Sequence, residues 1–269
     1  MQGMTDHSTP APATTPTLAI GIDIGGTGIK GALVDVTTGE LMSERLKVPT
    51  PKGGEPADIV AEVATMVDTM VARFRAGTAN VPVGVCFPAV VINGHTMSAA
   101  NVSKRWIGLP AETLFEKTLG RDIIFVNDAD AAGVAELHFG AARGKRGLVI
   151  MTTLGTGIGS AFLYDGVLIP NTELGHIEVD GRDAESRASF AAKERGRLSW
   201  RNWAKRLQRY YDTVEMLFSP TLFVVGGGVS KEADEFLTLL KLRTPIVPAE
   251  LRNNAGILGA AWLAARPRS

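Results

Sequence analysis

Residues 17–36 have the sequence TLAIGIDIGGTGIKGALVDV, and this stretch decides the fold class. Two strand-like runs, Thr17–Asp23 and Gly31–Val36, flank the glycine-rich bend IGGTGIK. A turn then leads into a third candidate strand that ends at Val48. Short apolar runs separated by glycine turns are typical of neighbouring antiparallel strands, so the segment predicts a β-meander.

The glycines of this bend allow three interpretations. Gly26, Gly28 and Gly31 satisfy the spacing G-x-G-x-x-G, but a dinucleotide-binding turn opens a helix there, whereas here a strand follows. The two remaining alternatives are an ordinary tight hairpin and a hairpin whose backbone N–H groups turn inward to bind an anion. In the second alternative, Thr27 offers a hydroxyl and Lys30 a positive charge to the same anion.

The second half of the chain repeats this pattern. Strand-like runs flank LGTGIG at Leu154–Gly159, and residues 167–170 close a second meander. A third glycine turn, Gly226–Gly228, follows a buried apolar run. Two halves that each carry a glycine bend after their first strand form a weak internal repeat, and together they predict a phosphate cleft between them.

Periodicity predicts the remaining elements and the domain organisation. Apolar residues at helical spacing predict helices at 57–76, 109–119, 129–139, 200–218 and 257–265. Apolar runs predict further strands at 81–91, 123–126, 146–152, 159–164 and 221–225. We therefore expect an α/β protein with a disordered tail at 1–17, a first lobe at 18–127, a second lobe at 128–255 and a last helix, within 256–269, that returns to the first lobe.

Composition excludes several classes of function. The 269 residues contain 28 Lys and Arg against 28 Asp and Glu, a balance that argues against a dedicated nucleic-acid or membrane-surface binder. Cys86 is the only cysteine, so the chain has neither an internal disulfide nor a multi-cysteine zinc site, and it suits a reducing compartment such as the cytoplasm. No apolar run approaches the length of a membrane span, and the first residues lack the features of a secretory signal.

Five motifs taken together resemble the ROK sugar kinases. They are DIGGTGIKGA (Asp23–Ala32), the pair Asn127-Asp128, LGTGIGSA (Leu154–Ala161), ELGH (Glu173–His176) and VVGGGVS (Val224–Ser230). The resemblance covers nearly all of the chain beyond the tail, and it implies the two-lobed actin-like ATPase, or ribonuclease H-like, fold with a cleft between the lobes. Within the family, NVSKRWIG and PNTELGH are similar to the members that use inorganic polyphosphate.

Asp128 is the expected general base of the reaction. A sugar kinase needs one positioned base and many anion-stabilising donors. Asp128 follows a strand and precedes a helix, which places it at the carboxyl end of the sheet, where sites of α/β proteins usually lie. From spacing alone, Asn127 or Asp128 is equally an N-cap of that helix; the family's catalytic aspartate matches Asp128, and capping and catalysis are compatible.

The resemblance also implies the sugar-binding residues. They are Asn101, Asn127, Asp128, Glu173, His176 and Glu185. Many ROK proteins carry a cysteine-rich zinc segment after the Gly-His motif, but residues 177–187 contain no cysteine, so we expect no zinc site. Glu185 matches the family's next sugar-binding glutamate if this loop is shortened.

The same resemblance distributes the phosphate and nucleotide contacts. The transferring phosphate is expected at Asp23, Gly25, Gly26, Thr27 and Lys30, with the rest of the donor at Gly155, Thr156 and Gly157. Gly226, Gly227 and Gly228 correspond to the adenosine region, which leaves ATP open as a second donor beside polyphosphate. Asp23 is placed to hold the donor's Mg²⁺ through water.

A basic segment stands out in this otherwise neutral chain. Between Arg182 and Arg209 there are nine basic and three acidic residues. Arg201, Lys205 and Arg209 recur every fourth residue, on one face of the predicted helix 200–218. Two interpretations stay open: a solvated amphipathic face, and a surface that holds the distal polyphosphate chain by counterion release.

The expected function is phosphorylation of the 6-hydroxyl of glucose, with mannose open as a second acceptor. An ATP-only hexokinase is the alternative among enzymes. A sugar-sensing ROK regulator is the alternative from another class, but such regulators carry an N-terminal helix-turn-helix, and seventeen residues are too few to form one. The resemblance further implies a homodimer.

Overall fold

The structure, a computed structural model, describes residues 17–73 and 80–266. In the first half the elements are β1 (Leu18–Ile24), β2 (Ile29–Asp35), β3 (Glu40–Leu41), β4 (Leu46–Val48), α1 (Pro56–Arg73), β5 (Val83–Phe87), β6 (Val91–Ile92), β7 (His95–Thr96), α2 (Ala111–Leu119) and β8 (Ile123–Asn127). In the second half they are α3 (Asp128–Phe139), β9 (Leu148–Leu154), β10 (Ile158–Tyr164), β11 (Val167–Ile169), β12 (Glu178–Val179), β13 (Arg182–Asp183), α4 (Glu185–Ala188), α5 (Phe190–Arg195), α6 (Trp200–Phe218), β14 (Leu222–Gly226), β15 (Ile246–Pro248) and α7 (Ala255–Ala264).

The two main sheets have the same topology. The first has the order β3-β2-β1-β5-β8, with β4 also paired to β2, and the second has the order β11-β10-β9-β14-β15. In each, an antiparallel hairpin (β1 with β2, β9 with β10) continues into two parallel strands. The repeat predicted from the glycine bends is therefore present as two sheets of matching strand order.

Side chains of the central strands point alternately to the two faces of each sheet, and this divides the apolar interior into layers. On β1, Ile20, Ile22 and Ile24 face a core that they share with α1 and α2, while Ala19 belongs to the core on the opposite face. Strand β14 shows the same alternation, because Phe223 and Val225 face α6 while Leu222 and Val224 face the opposite core. We refer to this opposite core, which contains residues of α3 and α7, as the middle layer. Successive side chains of a strand point to opposite faces, so one apolar run serves two layers.

Helix α7 lies in the middle layer and packs against β1, β5 and α3. Glycines make this approach possible: a Cβ at Gly21 would lie 1.9 Å from the Ile257 carbonyl oxygen, and one at Gly84 would lie 1.9 Å from that of Ala260. On the other side of the helix, a Cβ at Gly259 would lie 1.7 Å from the Ala131 carbonyl oxygen. The helix thus approaches the first sheet and the first helix of the second half closely enough for backbone contact, and its side chains Ile257, Leu258 and Ala261 add apolar packing.

The elements agree with the sequence-based expectations, with a few differences. The third strand before Val48 is two short strands, because a bend separates β3 from β4. The strand expected at 81–91 ends at Phe87, since Pro88 cannot donate to the ladder. The hairpin β12–β13, the short helices α4 and α5 and the edge strand β15 were not expected. The tail and the predicted end of helix 57–76 fall largely outside the described residues. None of the helices in the described ranges combines the length and the apolarity needed to cross a bilayer.

Candidate active site

A cleft of about 750 Å³ lies where the carboxyl ends of the parallel strands meet. Twelve of the predicted site residues line it: Gly25, Gly26, Asn101, Asn127, Asp128, Gly155, Thr156, Gly157, Glu173, His176, Glu185 and Gly227. The predicted residues outside the lining are Asp23, Thr27, Lys30, Gly226, Gly228, Arg201, Lys205 and Arg209. The cleft therefore brings both glycine hairpins to the expected sugar residues.

Asp128 lies at the first position of α3, directly after β8. Burial raises the pKa of its carboxyl to about 7, and the negative charge of Asp23 is the next largest cause. A hydrogen bond from the Ala129 N–H to Asp128 Oδ1 acts in the opposite direction and lowers this pKa. A carboxylate of this kind is well matched to accept a proton near neutral pH.

Asn127 is the N-cap of the same helix. Its Oδ1 accepts hydrogen bonds from the N–H groups of Ala129 and Asp130, at 2.8 and 3.0 Å. Its Nδ2 donates to the carbonyl oxygen of Ala89 at 3.0 Å. The cap interpretation thus applies to Asn127, which fixes the start of α3 and with it the position of Asp128. The second N–H of the Asn127 amide has no acceptor among residues 17–73 and 80–266, so it can donate to a ligand in the cleft.

Beneath the cleft, Asp23 is held between two partners. Lys30 Nζ lies 3.1 Å from Asp23 Oδ2 and forms a partly buried ion pair. The Cys86 thiol donates to Asp23 Oδ1 at 3.7 Å, and burial raises the pKa of this thiol well above its ordinary value. Lys30 therefore pairs with the Asp23 carboxylate. The neighbouring Asp128 carboxylate has no lysine partner in the described part of the chain.

The first glycine hairpin is closed by a hydrogen bond from the Gly25 N–H to the Gly28 carbonyl oxygen, at 3.0 Å. Asn101 packs directly on it, because a Cβ at Gly26 would lie 2.6 Å from the Asn101 Cβ. Asn101 itself has a φ of 62°, a left-handed conformation that asparagine tolerates. The close packing explains the glycine at position 26 and places Asn101 beside the expected phosphate.

The second hairpin is closed in the same way, by the Gly155 N–H donating to the Gly157 carbonyl oxygen at 3.0 Å. Glu185 sits against it: its Oε2 accepts the Ile158 N–H at 3.0 Å, and a Cβ at Gly157 would lie 2.3 Å from that oxygen. The predicted match of Glu185, across a shortened loop, is consistent with this position in the cleft. Glu185 thereby joins the second glycine hairpin to the residues predicted to bind the sugar.

His176 is held by a residue that sequence reasoning did not select. Its Nδ1 lies 2.9 Å from Asp183 Oδ2, and this hydrogen bond raises the pKa of His176. Asp183 Oδ1 also accepts the N–H of Ser186, the residue that follows Glu185 in α4. The hairpin β12–β13 brings these groups together, and its Asp180-Gly181 turn was the signal available in the sequence.

His176 also belongs to a cluster of three side chains that could in principle hold a metal ion. One ligand atom each of His176, Asp183 and Glu185 lies within 4.8 Å of the others. The cysteines of the family's zinc segment are absent, and all three groups already have partners: His176 and Asp183 bind each other, and Glu185 accepts the Ile158 N–H. These contacts give each side chain a structural role without an ion.

We expect Asp183→Asn to raise the KM for the sugar about fivefold and to change kcat less than twofold. Asparagine still accepts the Ser186 N–H, but it no longer stabilises a protonated His176, so the pKa of His176 falls towards its ordinary value. Initial rates and an NMR titration of His176 measure both effects. Asp180→Asn, on the same hairpin, is the matched control. Equal KM values for the two variants would contradict the role of Asp183 in holding His176 for the sugar.

The chain is similar to known proteins along most of its length. The model of the ROK family matches residues 19–189. The polyphosphate glucokinase of Mycobacterium tuberculosis (strain H37Rv) is 45% identical over 250 residues, which are 93% of this chain and 92% of that protein. The glucokinase of Streptomyces coelicolor is 28% identical, across 93% of this chain and 98% of its own.

Two solved structures are similar to this chain in both sequence and fold. The inorganic polyphosphate/ATP-glucomannokinase from Arthrobacter sp. strain KM is 55% identical, with a TM-score of 0.89, and the match covers 93% of this chain and 98% of that one. The ROK family glucokinase from Streptomyces griseus, in complex with glucose and AMPPNP, is 26% identical with a TM-score of 0.78, covering 92% and 99%. The two-lobed actin-like fold expected from the sequence is thereby confirmed. The chain belongs to the ROK family.

Proposed function

We propose that this protein is a glucokinase that transfers a phosphoryl group from polyphosphate, and also from ATP, to the 6-hydroxyl of glucose. The observation that carries the proposal is Asp128, a carboxyl with a pKa of about 7 that lines a cleft between two glycine hairpins. The named activities of the polyphosphate glucokinase and the glucomannokinase relatives support the donor and the acceptor. The glucomannokinase also supports mannose as a second acceptor.

Asp128 accepts the proton of the attacking hydroxyl as that oxygen bonds to the terminal phosphorus. The bond from this phosphorus to the bridging oxygen breaks, and the donor, shortened by one phosphoryl group, leaves with the electron pair. Phosphoryl transfer passes through a loose transition state, so most of the catalysis comes from positioning and from stabilising negative charge. The hairpins at Gly25–Gly28 and Gly155–Gly157 are closed by the N–H groups of Gly25 and Gly155, and their other N–H groups stabilise the phosphate oxygens. Glu173, His176 and Glu185 bind sugar hydroxyls, each of which needs partners that donate and accept.

The Asp23 carboxylate, which lies beneath the cleft lining, fits Mg²⁺ that arrives with the phosphates. Such ions keep several waters and take one or two carboxylates from the protein. Asp23 supplies one carboxylate, and its side chain is 17% exposed in spite of the Lys30 ion pair. Asp23 would hold the ion through water, and the bound ion would neutralise charge on the donor.

Glucose-6-phosphate formation with long-chain polyphosphate, ATP or no donor, each with Mg²⁺, tests the proposal. We expect product with both donors and none without a donor. If neither donor gives product, the assignment as a sugar kinase is overturned. If only ATP gives product, the protein is an ATP-only hexokinase. A homodimer stays a prediction from the family resemblance, and sedimentation velocity measures it.

A further inference from the structure

A second cavity, of about 150 Å³, lies between the hairpin β12–β13, α4 and α6. Basic side chains dominate its lining: Arg182, Arg187, Lys205, Arg206 and Arg209. Asp180 is the single acidic residue among the residues that line it. We refer to this cavity as the basic pocket. Its charge stands out because the whole chain is neutral.

The charges of the basic pocket are only partly compensated. Arg209 is engaged by Asp180 through two hydrogen bonds, of 2.7 and 3.1 Å. Arg206 donates to the backbone carbonyl of Arg187 at 3.1 Å, and its pKa is lowered by burial and by the positive charge of Arg187. Within the described residues, the side chains of Arg182, Arg187 and Lys205 form no ion pair. Three cations are therefore available for an anionic ligand.

The floor of the basic pocket adds an independent observation. Tyr210 lines the cavity and is 1% exposed, and its hydroxyl has no hydrogen-bond partner among the described residues. A buried polar group without a partner is costly and uncommon in native structures. The oxygen of an anion, or of a water molecule bound with it, satisfies that hydroxyl, whereas an apolar ligand does not.

The basic pocket and the active-site cleft are lined by different residues of one chain segment, 182–187. In the segment 182–187, Asp183 and Glu185 face the cleft side, where they hold His176 and the second glycine hairpin. Arg182 and Arg187, from the same segment, line the basic pocket instead. A linear anion that extends from the cleft past this segment would therefore meet a second cationic site.

We propose that the basic pocket binds the distal phosphates of a polyphosphate chain whose terminal phosphate lies in the cleft. This inference rests on the proposed use of polyphosphate, and it revises the surface expected from the sequence. Arg201 does not line the cavity and Arg209 is paired with Asp180, so of the three residues in that surface Lys205 keeps the role, joined by Arg182 and Arg187. The pocket selects for long donors, because the three phosphates of ATP are taken up in the cleft.

The double variant Arg187→Gln/Lys205→Gln tests the proposal. We expect the KM for long-chain polyphosphate to rise about tenfold with kcat unchanged, because the anchor is lost and the chemistry is not. The slope of log KM against log salt concentration should fall by about one unit for each cation removed. The kinetics with ATP should be unchanged.

The matched control is Arg197→Gln/Arg201→Gln, which removes the same charge from outside the basic pocket. A tenfold rise in this control as well, or an equal rise with ATP, would overturn the proposal. Tyr210→Phe isolates the floor: we expect a two- to fivefold higher KM for long-chain polyphosphate and no change for tripolyphosphate. Equal effects on both chain lengths would place the contact in the cleft. Wild-type protein that makes no product from polyphosphate would refute the proposed donor itself, which is a different result.

Discussion

Asp128→Asn is expected to lower kcat by about a thousandfold with either donor. Asparagine has nearly the same shape but cannot accept the hydroxyl proton, and positioned general bases contribute roughly 10²–10⁴ in rate. The KM values should change little, because the other cleft residues stay in place. Initial rates at saturating glucose and donor measure the effect.

Asp130→Asn is the matched control for this variant. Asp130 lies on the same helix, and burial raises the pKa of its carboxyl to about 7 as well. It does not line the cleft, and its Oδ2 accepts the N–H of Asn171 at 2.8 Å, which an asparagine oxygen can also do. We expect kcat to stay within about threefold of wild type. A variant Asp128→Asn that keeps a tenth of the wild-type kcat would refute the assignment of the base.

The raised pKa of Asp128 also predicts opposite pH dependences for activity and stability. The base must be ionised, so kcat/KM rises with pH through about 7. In the folded protein this carboxyl holds its proton more tightly than in the unfolded chain. The stability that protonation contributes is therefore complete below the unfolded pKa, roughly 4, and is lost as pH rises through about 7. Asp128→Asn should be more thermostable than wild type at pH 8, by several degrees, and the difference should shrink towards pH 5.

Gly259→Ala is expected to lower the free energy of unfolding by more than about 4 kcal/mol, or to prevent folding. The new Cβ would lie 1.7 Å from the Ala131 carbonyl oxygen, which belongs to the backbone of α3 and cannot rotate away. Helix α7 would have to separate from α3, from β1 or from β5, and each of these contacts stabilises the middle layer. Chemical denaturation followed by circular dichroism measures the change.

The control for this substitution is Gly228→Ala. A Cβ at Gly228 has no heavy atom within 4 Å, and this glycine is not among those with a positive φ. We expect the free energy of unfolding to change by less than about 1 kcal/mol. If Gly259→Ala were equally mild, the close packing of α7 between the two halves would not be a source of stability.

The sequence by itself determined the repeated sheet, both glycine hairpins and the position of Asp128. Each of these follows from local pattern: period-two apolar runs, glycine at tight bends, and an Asn-Asp pair where a strand meets a helix. A local cue also existed for the hairpin that holds His176, because Asp180-Gly181 between two short runs favours a tight β-turn.

Only the tertiary structure decided the features that join distant segments. Asp23 on β1 raises the pKa of Asp128 on α3. Asp180, in the turn between β12 and β13, binds Arg209 on α6. The glycines at 21, 84 and 259 show no pattern of their own, since their function depends on backbone atoms of elements far along the chain. Electrostatic and steric interactions act through space, and a linear sequence does not record which segments meet.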